Sequence, residues 1–277
     1  MSTVLVIAAR DDWPTDRVVK ALTDGGAEVF RMDTAEFPQE VTLAGRIDAR
    51  RGWSGGLTTA HRAVDLANVS AVYYRAPNSF SLPATMSEPE HRFAAAQARA
   101  GLGGIITALD CRWVSHPAAM SRAEYKPLQL ATARTCGLTV PPTLEDDLAD
   151  LRGIDTTAHL FQAWVDKAYE VRLTVVGDRL FPAEVHAGSD AAHTDWRSDY
   201  RSLTYRIGTA PPNVVEGVRR YMDRLDLRFA AFDFVVSPDG VWTYLEANPC
   251  GQWDWIEHAT GLPIAQAIAD ELQGVPR

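Results

Sequence analysis

Cysteine is scarce in this chain: 277 residues hold only Cys111, Cys136 and Cys250, far apart and odd in number. No Cys-x-x-Cys occurs, which removes support for a zinc site or a dithiol redox centre. Scattered free thiols suit a reducing compartment, so a cytoplasmic protein is expected. Long apolar runs are also missing. Residues 4–9 form an apolar stretch that stops at Arg10-Asp11-Asp12, too short for a signal sequence or a bilayer span, so no membrane association is expected. Basic charge is in deficit, because 27 Lys and Arg against 36 Asp and Glu leave a net charge of −9. Such a chain makes a poor partner for nucleic acid, whose binding relies on basic patches. The seven histidines show no His-x-x-x-His or His-Glu-x-x-His spacing, and no Gly-x-Gly-x-x-Gly follows the first apolar stretch, which argues against a zincin and a dinucleotide fingerprint. Internal repeats and low-complexity tracts are absent.

What is present is an ordinary globular composition, 46% hydrophobic and 23% charged, with room for a sizeable core and about two domains. Residues 4–8 read as a buried strand. Thr15 reads as the cap of a helix whose apolar stripe is Val18, Val19 and Leu22 and which ends at Gly25-Gly26; residues 28–32 read as a second strand. This β-α-β opening predicts a parallel sheet. Residues 41–47 and 57–59 flank a glycine-rich turn, Gly52-Trp53-Ser54-Gly55-Gly56, and predict a hairpin. The turn formally matches Gly-x-Ser-x-Gly, but no buried strand precedes it and no helix follows, so a hydrolase elbow is not expected. Further elements are a strand at 71–74 running into Arg75, a helix over 88–109 carrying Phe93, Ala96 and Ile105, and a short strand at 113–115. A first α/β domain is placed at 1–118 and a second at 119–277. The second begins with a helix over 123–136 closed by Gly137, continues through a strand at 158–161, and adds helices at 214–225 and 263–272. It also contains two hairpins, 170–176 with 180–186 and 229–236 with 241–246.

The last hairpin carries the strongest chemical signal. With its turn centred on Pro238-Asp239, Asp233 falls opposite Tyr244 and diagonal to Glu246. Residues two apart share a face, so Asp233, Glu246 and Asn248 project together while Phe232, Phe234, Val236 and Leu245 point to a core. Two carboxylates and an amide oxygen make a hard-oxygen set suited to Mg²⁺ held jointly with substrate phosphates. Arg172 and Arg197, on neighbouring stretches, would supply the cations that a phosphate site needs. His186, after the Arg172 strand, is a candidate base lining the cleft, and Glu184 a supporting acid. Trp253 and Trp255 either face a peptide groove or fill a core. No nucleophile pattern appears, and Cys250 reads as a small packing residue.

Four stretches in this order resemble the ATP-grasp ligases: Phe161-Gln162-Ala163-Trp164-Val165, Glu170 with Arg172 to Gly177, Asp195-Trp196-Arg197-Ser198, and Asp233 with Glu246-Ala247-Asn248-Pro249. The resemblance is closest to the ribosomal-peptide maturases that make graspetides, of the microviridin-synthetase type. It runs nearly end to end and includes Val72-Tyr73-Tyr74-Arg75-Ala76-Pro77, Tyr125-Lys126-Pro127 and Gln252-Trp253-Asp254-Trp255. Ala76 stands where that group has a second arginine. The resemblance implies an α/β ATP-grasp fold with an N-terminal, Rossmann-like pre-ATP-grasp domain. It implies ATP and Mg²⁺ as cofactors, with Gln162, Trp164 and Val165 as the adenine hinge, Arg172 and Arg197 on the phosphates, and Asp233, Glu246 and Asn248 on the metal. Arg75 and His186 are placed on the substrate side. The implied partner is a ribosomal precursor peptide, leader plus core, and a homodimer is suggested.

The implied reaction phosphorylates an Asp or Glu side chain of the peptide, and a Lys, Ser or Thr of the same peptide then closes an ω-amide or ω-ester ring. One departure stands out. Only fourteen residues, 144–157, lie where the family carries a lid subdomain over the phosphates, so the lid reads as truncated there. Lys126 belongs to the preceding helix and does not replace the lid's lysine. A ligase of small acids or amino acids, and a lid-less peptide-binding protein without catalysis, are the alternatives.

Overall fold

Strand β1 (Thr3–Ala8) is buried along its whole length, which requires cover on both faces of its sheet. The computed structural model describes residues 2–48, 52–146 and 158–275. After β1 comes α1 (Trp13–Asp24), capped by Asp12, whose carboxylate accepts from Thr15 N at 2.9 Å. The cap is therefore Asp12 and not Thr15, which is fully buried. Pro14 is the reason: proline is favoured in a first turn, where its missing N–H costs nothing, so the helix starts before Thr15. β2 (Glu28–Met32) then pairs parallel with β1 in the expected β-α-β unit.

A small antiparallel sheet follows, made of β3 (Thr42–Arg46), β4 (Ser54–Thr58) and β5 (Ala63–Asp65). The hairpin is as expected, but Ser54, Gly55 and Gly56 are strand and not turn. A Cβ at Gly55 would lie 2.0 Å from Ala44 O, so glycine permits close backbone approach between strands. β6 (Val69–Arg75) returns to the first sheet beside β1. The expected long helix is interrupted, with α2 (Glu88–Ala98) and α3 (Gly104–Thr107) separated by a π turn. Phe93 is 68% exposed and Ala96 is exposed, whereas Ile105 packs on the core. β7 (Arg112–Val114) completes a four-stranded parallel sheet ordered β2-β1-β6-β7.

The next helical stretch is likewise two helices, α4 (Pro117–Ala123) and α5 (Lys126–Thr135). Pro127 lies in the first turn of α5, where its missing N–H costs nothing, and the extended backbone of Tyr125 separates the two helices. β8 (Thr143–Asp146) and β9 (His159–Gln162) pair antiparallel. The expectation of a truncated lid falls mostly on 147–157, outside the described residues. The second sheet is antiparallel. It is built from β10 (Tyr169–Val176), β11 (Arg179–His186), β12 (Thr204–Ile207), β13 (Phe229–Val236) and β14 (Trp242–Asn248), in the order β12-β11-β10-β13-β14. α6 (Asp190–Thr194) and α7 (Pro212–Leu225) lie between its strands in sequence, and α8 (Asp254–Thr260) and α9 (Ile264–Gln273) follow it.

The two faces of this sheet have different fates. On one, Val171, Leu173, Phe232, Phe234 and Tyr244 pack against Val218, Tyr221 and Leu225 of α7; truncating one such phenylalanine to alanine costs about 3–5 kcal/mol. On the other, Val176, Phe181, Ala183 and Phe229 are covered by Ile264 and Ile268 of α9, in a cluster that also takes in Val4, Val6, Val18 and Leu22 of the first sheet and α1. That cover stops partway along the strands, and the charged residues sit beyond it.

Candidate active site

The register across β10, β13 and β14 puts Arg172 beside Asp233 and Asp233 beside Glu246, in a single row. This corrects the expected pairing. Tyr244 lies opposite Phe234, and a bulge between Asp233 and Phe234 shifts the register so that Glu246 directly faces Asp233. The extra residue is Leu245, which is half-buried and outside the core, while Tyr244 takes the core position. A bulge reverses the alternation of side chains beyond it; with the turn also one residue off, the partner of Asp233 moves by two, and Asp233, Glu246 and Asn248 share a face as expected.

Arg172 is 8% exposed and its Nη1 lies 2.9 Å from Asp233 Oδ1. Its Nε is buried with no partner among the described residues. Burial pushes the Asp233 carboxyl up to about 6; Arg172 opposes that shift and Glu246 adds to it. Burial also acts on Glu246, but the ammonium of Lys126, in direct contact with Oε2, outweighs it and holds that carboxyl below its ordinary value. The two carboxylates face each other across paired strands, and a divalent cation held by both would offset their like charge. Among the described residues no group of three His, Cys, Asp or Glu forms a metal cluster. The donor set here is two carboxylates and the exposed Asn248, whose Oδ1 accepts from Cys250 N at 2.9 Å and keeps a second lone pair. Gly251 closes that turn, and a Cβ there would come within 2.5 Å of the Ala231 side chain.

Arg197 reaches the same carboxylate from a loop. Its Nη2 is 3.8 Å from Asp233 Oδ2 and its Nη1 3.6 Å from Asp195 Oδ1, with half the side chain exposed. These are charge contacts longer than hydrogen bonds. Both guanidinium groups lie over indoles: Arg197 is 4.6 Å from the Trp196 ring centroid and Arg172 is 5.9 Å from that of Trp255. The two indoles stack on each other at 5.3 Å. Trp253, in contrast, is fully buried in the core.

The hinge candidates lie where β9 runs toward β10. Gln162 and Trp164 are exposed and Val165 is half-buried. Lys167, buried, contacts Glu170 of β10, lies 3.5 Å from Thr194 O just ahead of the Arg197 loop, and sits 5.4 Å from the Trp164 ring. Hinge, Arg172 strand and Arg197 loop are thus tied together by one lysine.

Two candidates sit elsewhere. His186 donates from Nε2 to Glu184 at 2.8 Å, and its ring lies 5.0 Å from that of Tyr169. The pairing of Val171 with Glu184 and of Arg172 with Ala183 puts His186 and Glu184 on the face opposite Arg172. Arg75 is 2% exposed and donates to Asp12 at 3.0 Å, Gly251 O at 3.3 Å and Gln252 at 2.9 Å. Sequence reasoning missed Lys126 as a neighbour of Glu246, although Tyr125-Lys126-Pro127 was singled out; Lys167 and the Trp196–Trp255 stack left no local signal.

The chain is similar to several known proteins. Residues 3–121 match the family model described as the MvdD pre-ATP grasp domain. Macrocyclase MdnC of Microcystis aeruginosa, solved with its precursor peptide MdnA, superposes with a TM-score of 0.85 at 27% identity, covering 99% of this chain and 100% of that one. Macrocyclase MdnB of the same organism gives 0.84 at 26% identity, over 98% and 99% of the two chains. A RiPP-associated ATP-grasp ligase of Chryseobacterium gregarium, solved with ADP and a leader and core peptide, gives 0.87 at 22% identity, over 100% and 98%. No curated protein sequence matches.

Proposed function

From an ATP-grasp ligase fold entered through an MvdD-type pre-ATP-grasp domain, we propose that this chain is an ADP-forming ligase that crosslinks a ribosomal precursor peptide. ATP transfers its terminal phosphoryl group to an Asp or Glu side chain of the peptide. A Lys amine or a Ser or Thr hydroxyl of the same peptide then displaces phosphate, closing an ω-amide or ω-ester ring. The observation that carries this reading is the row Arg172–Asp233–Glu246, a cation beside two carboxylates on the open end of a sheet face.

In this assignment Asp233, Glu246 and Asn248 hold Mg²⁺, which when bound neutralises charge on phosphate oxygens. Arg172, with its unpartnered Nε, and Arg197 bind phosphate; the stacked Trp196 and Trp255 fix the planes of both guanidinium groups. Such fixed donors stabilise developing charge without reorganising at the moment of reaction. Gln162, Trp164 and Val165 take the adenine. Residues 1–118 form the pre-ATP-grasp domain and 119–277 the catalytic domain, with leader and core of the peptide bound by the two together. A cytoplasmic homodimer is the assembly that fits this reading; no helix among the described residues is long and apolar enough to cross a membrane.

Incubation with ATP, Mg²⁺ and a candidate precursor peptide tests the proposal by mass spectrometry. One water is lost per ring closed, with stoichiometric ADP. No mass loss and no ADP would falsify the ligase reading. In the double variant Asp233→Asn, Glu246→Gln, turnover is expected to vanish; surviving turnover would move the metal site elsewhere.

A further inference from the structure

Gln129 lies on α5, is 2% exposed, and uses every hydrogen-bonding position of its amide. Its Nε2 donates to Ala123 O at 2.5 Å and to Ala247 O at 2.9 Å. Its Oε1 accepts from Ala247 N at 3.1 Å and from the Tyr244 hydroxyl at 3.1 Å. The Tyr244 hydroxyl lies 3.2 Å from that of Tyr221. The Ala123 and Ala247 carbonyls and the Ala247 N–H fix which end of the Gln129 amide is oxygen, so Tyr244 donates to Gln129 and Tyr221 donates to Tyr244.

The consequence falls on β14. This strand is the edge of its sheet, with β13 on one side only. Toward its start, the free edge is met by Thr139, whose carbonyl accepts from Tyr244 N at 2.8 Å. At Ala247 no strand continues. There the Gln129 amide takes a strand's place, bonding both the N–H and the C=O of one residue. Ala247 points into the core and stands between Glu246 and Asn248, whose side chains face the other way. The same first turn of α5 brings Lys126 onto Glu246. A bulge lies just upstream at Leu245, where the alternation of the strand is loosest.

We infer that Gln129 is a positioning residue: its amide pins the backbone of Ala247 so that Glu246 and Asn248 are presented together to a divalent cation. The inference rests on the reading of Asp233, Glu246 and Asn248 as cation ligands. It adds a residue that touches neither metal nor nucleotide and acts only through β14. Groups that orient metal ligands from behind change metal affinity by about 10–100-fold when removed.

The test is Mn²⁺ binding in the presence of ADP, read from the electron paramagnetic resonance signal of free Mn²⁺, with thermal unfolding alongside. Gln129→Met preserves volume and removes all four bonds. Tyr244→Phe removes only the hydroxyl that donates to the amide oxygen, and serves if the first variant fails to fold. Folded Gln129→Met is expected to bind Mn²⁺ with ADP about 10–100-fold more weakly, and Tyr244→Phe is expected to weaken binding by less. A drop in unfolding temperature with unchanged Mn²⁺ affinity of the folded protein overturns the positioning role alone. A wild-type chain that binds no Mn²⁺ with ADP overturns the site reading, and the positioning role with it.

Discussion

Arg75 and Arg172 are both more than nine-tenths buried, yet their surroundings are opposite. Arg75, at the end of β6, donates from all three nitrogens to Asp12, Gly251 and Gln252, tying the first sheet to the turn after β14. Arg172, in the middle of the second sheet, has one close carboxylate and a buried Nε with no partner among the described residues. A buried cation with every nitrogen bonded holds elements together. One with donors unused is poised for an anion, because leaving such a group unpaired costs about 1–3 kcal/mol or more. Burial alone therefore does not separate a structural arginine from a functional one; the donor inventory does.

Substitutions sharpen or break that contrast. Arg75→Met is expected to lower stability by about 3–5 kcal/mol, since it takes the cation from the Asp12 carboxylate and leaves a carbonyl unpaired across an interface; denaturant unfolding measures this. If the variant instead unfolds like wild type and loses turnover, Arg75 contacts substrate, as the sequence reading placed it. Arg172→Met is expected to do the reverse. ADP release should fall by about 10²–10³-fold, while the unfolding temperature moves by less than about 4 °C. Trp255→Leu should have the smallest effect of the three, removing one cation–π contact, the stack on Trp196 and an edge contact with Tyr205, each worth about 0.5–1.5 kcal/mol. It is expected to appear as a severalfold higher KM for ATP with kcat retained; an unchanged KM would detach the indole pair from the phosphate-binding arginines.

The repeating features of the chain were legible from its residues. The β-α-β start, the hairpins at Gly177-Asp178 and Ser237 to Gly240, and the stripe of α7 follow from periodicity and turn chemistry, which are local. What failed to show has a common cause. The bulge at Leu245 carries no residue type of its own, so a register counted from a turn itself placed one residue off was two residues off at Asp233. Lys126 and Gln129 act across about 120 positions of sequence, and no spacing rule connects an α-helical first turn to a strand that far away. Arg75 was placed on the substrate side by the resemblance of Val72 to Pro77 to a maturase stretch; its three acceptors, two of them backbone or amide oxygens, are visible only in three dimensions. Conversely, Asp233, Glu246 and Asn248 were brought onto one face, because two acids flanked by phenylalanine and alanine on a hairpin have few other places to go.

The first sheet and α1 share their core with α9, where Val18 and Leu22 meet Ile264, Ile268 and Leu272. Arg17 bonds Asp254 at 2.9 Å and Glu257 at 2.8 Å across the same seam. During synthesis, β1 and α1 leave the ribosome well before α9. One side of the parallel sheet thus stays uncovered until α9 follows, and the first sheet cannot complete its core as an isolated early unit. The order in which these elements are made and the order in which they can be buried run against each other.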